Sequence, residues 1–313
     1  MQLAPIALFV YNRPKHTRQT LEALQANELA NQSHLFVFCD GPKANATSET
    51  LNAIQDARTI VKEKTWCKTI TLFESENNKG LAVSIKDGVT KILNQFGKVI
   101  VLEDDIVTAK GFLTYMNEAL ELYKNESKVM HIASYLPYTN SISNLPETFF
   151  LRFMSCWGWA TWKSAWDAAN WDAQDLYEQI QAPAIMKAFN LDGVLNFHEQ
   201  LKHNITGQIN TWAIMWYTSI FLNQGLCLYP NVTLSKNIGL DGSGAHCLPG
   251  EDATAFSYDT EIDVRYQQPR ISQLGTTYLK RYYRFGKTST FNRRFERMYY
   301  HYRLQLIKLF KRW

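Results

Sequence analysis

Residues 98–105 read KVIVLEDD, an apolar run that ends in three adjacent carboxylates. A short run rich in β-branched residues is typical of a strand buried on both faces of a parallel sheet. Open α/β sheets bind their ligands outside the carboxyl ends of such strands, so these carboxylates lie where a ligand is expected. The stretch therefore predicts the class of fold and the position of the site together.

Three further apolar runs precede this one and are predicted to be neighbouring strands, at residues 6–10, 35–39 and 69–73. Amphipathic helical patterns alternate with them, at about residues 17–29, 51–62 and 85–96. Strict alternation of strand and helix predicts an α/β fold, a doubly wound and mostly parallel sheet with helices on both faces.

Polar residues follow each predicted strand and would meet at one edge of the sheet. They read YNRP at 11–14, DGP at 40–42, a segment from Glu74 that ends in NKG at 78–80, and EDD at 103–105. One polar turn carries little information because turns are generally polar. Four in succession at the same edge indicate a binding site.

The three carboxylates at 103–105 predict a metal. Adjacent buried acids repel one another, which raises their pKa values unless a cation neutralises them. Mg²⁺ or Mn²⁺ takes one or two protein carboxylates and completes its shell with phosphate oxygens and water, which suits a nucleoside diphosphate. We expect Asp105 to hold the metal and Glu103 or Asp104 to hold ligand hydroxyls. The alternative is a solvated acidic turn.

Three other residues at this edge are candidates for donor binding. Arg13 either makes bidentate hydrogen bonds to a phosphate or a base carbonyl, or is an exposed loop arginine. Asp40 either caps a turn or accepts a hydrogen bond from a nucleoside. Lys79 opens the third helix, where free N–H groups favour an anion, although lysines are also common at the surface ends of helices.

Composition excludes several classes of protein. With 313 residues, 46% hydrophobic and 20% charged, the chain is neither disordered, collagenous nor membrane-spanning. Its five cysteines are an odd number without short repeated spacing, which fits a reducing compartment and predicts neither a disulfide framework nor a CxxC zinc site. The N-terminal residues lack the pattern of a signal peptide or membrane anchor, so we expect a cytoplasmic protein.

The net charge of +4 hides two opposite regions. Residues 280–313 contain eleven Lys and Arg against one Glu, a charge of +10, and ten aromatic residues. The rest of the chain has 22 Lys and Arg against 28 Asp and Glu, a charge of -6. A basic, aromatic, amphipathic terminus is typical of an anchor to an anionic membrane surface, which we favour over nucleic acid as a partner. A surface helix packed on the body is the remaining alternative.

Several blocks of sequence, taken in order, resemble the GT-A glycosyltransferases. They are IALFVYNRP at 6–14, DGP at 40–42, NKGLA at 78–82, VLEDD at 101–105, SCWGWATW at 155–162, and LYP at 228–230 with NIG at 237–239 and His246. The pattern is most similar to bacterial glycosyltransferases of polysaccharide and lipopolysaccharide synthesis, and more distantly to the N-acetylglucosaminyltransferase I family. The resemblance spans about residues 4–247.

The resemblance implies roles for individual residues. Arg13 and Asp40 would contact the nucleotide, and Glu103 and Asp104 would reach the ribose and donor sugar. Asp105 would coordinate the metal that bridges the diphosphate.

Two further positions come from the later blocks. His246 would close over the phosphates or join the metal shell, unless it is an ordinary loop histidine. Trp157 and Gly158 are placed at the sugar, because glycine permits close approach of the backbone. Helical spacing would place Trp159, Trp162 and Trp166 on one face, where they pack in the core or line the site.

The catalytic base is missing from its expected place. The N-acetylglucosaminyltransferase family carries an Asp directly after a Trp in a Trp-Asp-Asp-Trp run, whereas Ala213 follows Trp212 here and accepts no proton. We expect an inverting reaction, which needs such a base. The acids to test are Asp167, Asp172 and Asp241.

The sequence thus predicts a metal-dependent hexosyltransferase of bacterial surface-polysaccharide synthesis at the inner face of the cell membrane. Residues 1–106 would bind the nucleotide-diphosphate sugar, and residues 107–275 of the same domain would bind a glycan or lipid-linked oligosaccharide acceptor and carry out catalysis. Residues 276–313 would form the basic tail. One rival is a metal-dependent nucleotidyl or phosphoryl transferase. Another is a non-catalytic carbohydrate-binding protein on a decayed transferase fold.

Overall fold

The computed structural model describes residues 2–137, 145–241 and 255–285. Its strands are β1 (Ile6–Val10), β2 (His34–Cys39), β3 (Thr69–Glu74), β4 (Lys98–Glu103), β5 (Ile106–Thr108), β6 (Val129–Ala133), β7 (Thr148–Leu151), β8 (Trp159–Trp162), β9 (Leu226–Pro230) and β10 (Ser235–Asn237). Its α-helices are α1 (Pro14–Gln25), α2 (Ser48–Lys62), α3 (Leu81–Phe96), α4 (Phe112–Leu122), α5 (Lys163–Asp167), α6 (Ala173–Gln179), α7 (Pro183–Phe189), α8 (Phe197–Ile205), α9 (Trp212–Leu222) and α10 (Gln273–Phe285).

Eight strands form one sheet in the order β3-β2-β1-β4-β8-β6-β9-β7, and β5 pairs with β10 in a separate antiparallel ribbon. Six of the eight run in the same direction; β8 and β7 run against their neighbours. The predicted α/β class with a mostly parallel sheet is confirmed. The four strands predicted for the first third are all present, and β1 has the predicted limits.

Helices cover both faces of this sheet, as the alternation of strand and helix predicts. On one face Ile85 and Val89 of α3 pack with Phe9 of β1. On the other, Leu21 and Leu24 of α1 lie in the core that contains the alternate residues of β1 and β4. α1 begins earlier than predicted because Pro14, which has no N–H to leave unpaired, suits a first helical position.

The predicted helical face of tryptophans is wrong. Trp159 and Trp162 lie in strand β8 and Trp166 lies in helix α5. Because side chains alternate along a strand, Trp159 packs in the core of the α3 face and Trp162 in that of the opposite face. The spacing of three residues therefore puts these two rings on opposite faces of the sheet, whereas in a helix it would put them on one face.

The start of the basic tail packs on the body. In α10, Leu279 is fully buried and the ring of Tyr283 lies 5.7 Å from that of Phe153. Lys280 pairs with Asp192. Residues 286–313 lie outside the described residues. Within the part of the chain that the structure describes, no helix is both long and apolar enough to cross a bilayer.

Candidate active site

A chain of ionic contacts joins three segments at the carboxyl edge of the sheet. Arg13 directly follows the loop after β1, Asp105 follows β4, and Asp241 lies beyond β10. Arg13 Nη1 lies 2.5 Å from Asp105 Oδ2, and Arg13 Nη2 lies 3.6 Å from Asp241 Oδ1. His16, in the first turn of α1, places Nε2 3.1 Å from Asp241 Oδ2. The structure thus brings Arg13, predicted to bind the donor, and Asp105, predicted to hold the metal, together with Asp241, one of the three candidate bases.

The β5–β10 ribbon carries the third segment to this position. Ile238 N–H donates to the carbonyl oxygen of Asp105 at 2.9 Å, directly after the last paired residue of β10. The next residue, Gly239, lies so close that an added Cβ would stand 2.0 Å from Asp105 Oδ2 and 2.7 Å from Arg13 Nη2. Only glycine lets the backbone pass over the ion pair, which gives a physical reason for the NIG block.

Glu103 and Asp104 carry the largest electrostatic cost at this edge. Burial, followed by the neighbouring charge of Asp105, raises the pKa of Glu103 to about 8 and that of Asp104 to about 7. The backbone N–H of Tyr11 donates to Asp104 Oδ2 at 3.1 Å and opposes part of this shift. An added cation would stabilise the charged forms of these two carboxylates.

Asp40 organises the loop that leads into α3. Its Oδ1 accepts hydrogen bonds from the N–H groups of Gly41 (2.9 Å) and Lys79 (2.8 Å). Its Oδ2 accepts from Asn78 Nδ2 and from Gly80 N–H, both at 2.9 Å. These four bonds use the roughly four lone-pair sites of a carboxylate. Asp40 therefore shapes the site through the loop, and its direct contact with a nucleotide stays a prediction.

Arg58 connects the loops that follow β2 and β3, and nothing in the sequence around it predicts this role. From the middle of α2, its Nη2 donates to the carbonyl oxygens of Ser75 (2.7 Å) and Asp40 (3.3 Å). Gly41 packs so tightly against Asn77 that a Cβ would lie 2.6 Å from its backbone. The ends of β2 and β3 are thus held as one unit.

A cavity of about 520 Å³ opens beside this unit. The rings of Phe38 and Phe73 line it, nearly parallel, with centroids 4.9 Å apart. Lys91 places its ammonium 4.8 Å from the centre of the Phe73 ring. Lys79 also lines the cavity, with its Nζ 4.0 Å from Asp87. The cavity offers a flat apolar wall for a ring, next to the charged edge.

Trp157 and Gly158 are held against the ribbon that carries Gly239. Ser235 Oγ of β10 donates to the carbonyl oxygen of Trp157 at 2.7 Å, and Ser134 Oγ donates to that of Gly158 at 2.8 Å. Gly158 has φ +78° and an added Cβ would meet Ser134 Oγ at 2.6 Å, so the position requires glycine. The half-buried indole of Trp157 packs edge-on against Tyr135.

The other candidate bases have local partners. Asp167 pairs with Lys163 one turn earlier in α5, at 2.6 Å. Asp172 is the N-cap of α6 and accepts hydrogen bonds from the N–H groups of Gln174 (2.9 Å) and Asp175 (3.2 Å). These contacts account for both acids without reference to the edge. His246, the second predicted metal ligand, lies outside the described residues.

The described residues contain no group of three or more His, Cys, Asp or Glu side chains placed to hold a metal. The described residues, 2–137, 145–241 and 255–285, therefore provide no metal site that is made of protein ligands alone. Asp105 nevertheless has the chemistry of a cation ligand, because its carboxylate already pairs with the guanidinium of Arg13, although that guanidinium and the backbone of Gly239 both lie against its Oδ2. A single carboxylate suits Mg²⁺ or Mn²⁺ when phosphate and water supply the remaining ligands.

No family model matches the chain, and no curated protein matches it. Among solved structures, it is similar to a mannosyltransferase from Pyrobaculum calidifontis in complex with GDP-Man and Mn²⁺, with a TM-score of 0.37 and 11% identity, covering 69% of each chain. It is also similar to S. aureus TarS, with a TM-score of 0.38 and 12% identity over 76% of this chain and 37% of that one. A UDP-glucose pyrophosphorylase complexed with UDP-glucose gives a TM-score of 0.30 and 11% identity over 53% and 79% of the two chains.

Proposed function

We propose that the protein is a metal-dependent hexosyltransferase that moves a sugar from a nucleotide-diphosphate donor to a glycan or lipid-linked oligosaccharide. The observation that supports this most is the Arg13–Asp105 ion pair beneath Gly239. It puts a guanidinium, which is suited to phosphate, beside a carboxylate, which is suited to a divalent cation, at the edge where open α/β sheets bind ligands.

The remaining residues of the edge then take complementary roles. Asp105 would hold Mn²⁺ or Mg²⁺, which when bound stabilises the charge of the departing diphosphate. Arg13 binds the same diphosphate, and Glu103 and Asp104 accept hydrogen bonds from hydroxyls of the donor. Trp157 and Gly158, held beside the ribbon, receive the sugar.

An acid at this edge removes the proton from the acceptor hydroxyl. Of Asp167, Asp172 and Asp241, Asp241 is the one whose contacts reach Arg13. A carboxylate there would take the proton of the attacking hydroxyl in a single displacement with inversion.

The basic tail supports a location of the reaction at a membrane surface. α10 docks on the body and exposes Arg281 and Arg284, in continuity with the cationic residues 286–313. We place the enzyme at the anionic inner face of a bacterial cell membrane, where a lipid-linked acceptor of surface-polysaccharide synthesis would be found.

Turnover of nucleotide sugars tests the proposal. A panel of UDP- and GDP-sugars is incubated with Mn²⁺ or with a chelator, and release of the nucleoside diphosphate is measured. Asp105→Asn should lower turnover by about 1000-fold, since a metal contributes several kcal/mol to the transition state. Asp56→Asn, on the exposed side of α2, is the matched control.

Three results would contradict it. Full turnover by Asp105→Asn, or in chelator, would remove the metal assignment. Consumption of a nucleoside triphosphate with no glycosidic product would favour a nucleotidyl or phosphoryl transferase. Metal-independent sugar binding without release of nucleoside diphosphate would favour a carbohydrate-binding protein.

A further inference from the structure

Arg13 stands between two carboxylates of unequal exposure. The side chain of Asp105, on the near side, is 14% exposed, whereas that of Asp241, on the far side, is 48% exposed. One nitrogen of the guanidinium contacts each acid, at 2.5 Å and 3.6 Å. The shorter contact is with the carboxylate that the proposed function gives to the metal. Arg13 and the metal therefore compete for Asp105.

We propose that Arg13 is a placeholder cation for Asp105, which it yields to the metal while Asp241 and His16 keep the guanidinium at the edge. This inference rests on the proposed function, because it takes Asp105 as the metal ligand. It makes His16 and Asp241 positioning residues for the donor site. This role is independent of whether Asp241 also takes the acceptor proton.

The acidic surroundings explain why a placeholder is needed. Asp105 adjoins the half-buried Glu103 and the buried Asp104, so an unpaired Asp105 would put a carboxylate charge beside two other acids without a cation among them. Arg13 neutralises that charge while no metal is bound. When a metal and a diphosphate bind, Arg13 would leave Asp105 to the metal, and the diphosphate would give the guanidinium a new anion to bind.

The surroundings of Asp241 explain how Arg13 stays in place. His16 Nε2 contacts Asp241 Oδ2, while Asp241 Oδ1 faces Arg13, so the two oxygens of one carboxylate hold two elements of the edge. Gly239 fixes the backbone two residues earlier against the same ion pair. Asp241 is thus a second acceptor within reach of the guanidinium when Asp105 turns to the metal.

Binding of Mn²⁺ alone, without nucleotide, tests the competition directly. The free Mn²⁺ signal in electron paramagnetic resonance gives the dissociation constant for each variant. Arg13→Gln should bind Mn²⁺ about tenfold more tightly than the wild type, because the competing cation is gone. Lys15→Gln removes an equal charge from the exposed side of α1 and should bind as the wild type does. Asp105→Asn should abolish binding at this site.

Asp241→Asn sharpens the test because its effect should have the opposite sign. Without its second partner, Arg13 stays on Asp105, so Mn²⁺ should bind several-fold more weakly than in the wild type. In the Arg13→Gln/Asp241→Asn double variant, Asp241 has no guanidinium to hold, and the affinity should equal that of Arg13→Gln. His16→Ala should act in the direction of Asp241→Asn and more weakly, with recovery in His16→Gln.

The inference is overturned if Arg13→Gln binds Mn²⁺ no more tightly than the wild type does. A double variant weaker than Arg13→Gln would make Asp241 a metal ligand and would also overturn it. Arg13→Lys, which keeps one charge but cannot span both acids, replaces Arg13→Gln if thermal unfolding shows the latter misfolded; its affinity should exceed that of the wild type. Mn²⁺ binding needs no turnover, so failure of the placeholder is distinguishable from failure of the transferase proposal.

Discussion

The carboxyl edge of the sheet and the aromatic cluster around His131, in the other half of the sheet, shift the pKa of a titratable group in opposite directions. At the edge, burial and a neighbouring charge raise the pKa of Glu103 to about 8. In the cluster, His131 packs against the rings of Trp159 and Trp216, and burial lowers its pKa to about 3. Both groups are thereby pushed towards their neutral forms.

The difference between them is in their partners. His131 Nδ1 accepts a hydrogen bond from Trp216 Nε1 at 3.2 Å, and its Nε2 donates to the carbonyl oxygen of Ser155 at 3.0 Å. Indole N–H only donates and a carbonyl only accepts, so these partners fix the tautomer. Both nitrogens are satisfied within the protein. The edge instead holds adjacent acids that a cation from outside would stabilise, which is the property of a site and not of a core.

Apart from the loss of Asp105 itself, the largest effect should come from adding a single methyl group at the edge. Gly239→Ala places Cβ 2.0 Å from Asp105 Oδ2, so either the segment or the ion pair must move. Because small misplacements at a reacting centre cost about 100-fold, we expect turnover to fall by about that factor while the fold is retained. Steady-state release of nucleoside diphosphate measures it.

Gly207→Ala is the control for this prediction. Gly207 has a positive φ, +70°, which Gly239 does not share, and nothing lies within 4 Å of its added Cβ. It should lose about 1 kcal/mol of stability from backbone strain and keep its turnover. Equal losses of turnover in the two variants would mean that a general loss of stability, not contact with Asp105, is responsible.

The cluster should show its contrast with the edge in the pH dependence of stability. Below about pH 6.5 an unfolded histidine binds a proton that the buried His131 does not, so the folded state loses stability as the pH falls towards 3. Between pH 6 and 4 the wild type should lose about 2 kcal/mol more than His131→Gln does. Urea unfolding at successive pH values gives the slopes, and the exposed His203→Gln should follow the wild type. Parallel slopes for wild type and His131→Gln would show that His131 is protonated when folded.

The parts of the fold that the sequence predicts are those with local signals. β1 and β4 are apolar runs with polar residues directly after them, so their ends and the position of Asp105 follow from neighbouring residues alone. β8 has the opposite property. Its tryptophans are spaced like residues on one face of a helix, and only pairing with β4 and β6 makes the segment a strand.

The parts of the site that escape prediction depend on distant residues. Arg58 contacts two strand ends that lie 17 and 18 positions away, and His16 contacts a loop beyond residue 237. The sequence around Asp40 does not decide between a turn former and a nucleoside ligand. Its four hydrogen bonds come mostly from residues 78–80, which a local pattern does not place beside it.

The smallest effect separates a candidate base from a helix cap. Asp172→Ala removes the acceptor of two N–H groups at the start of α6 and should cost about 1 kcal/mol of stability. Turnover should not change, because the contacts of this carboxylate end within its own helix. Thermal unfolding and nucleoside diphosphate release are measured on one preparation. Asp172→Asn, which keeps a capping oxygen but cannot accept a proton as a base, should match the wild type in both measurements. A collapse of turnover in Asp172→Asn would mean that the base, and the acceptor with it, lies at the start of α6 and not at the carboxyl edge of the sheet.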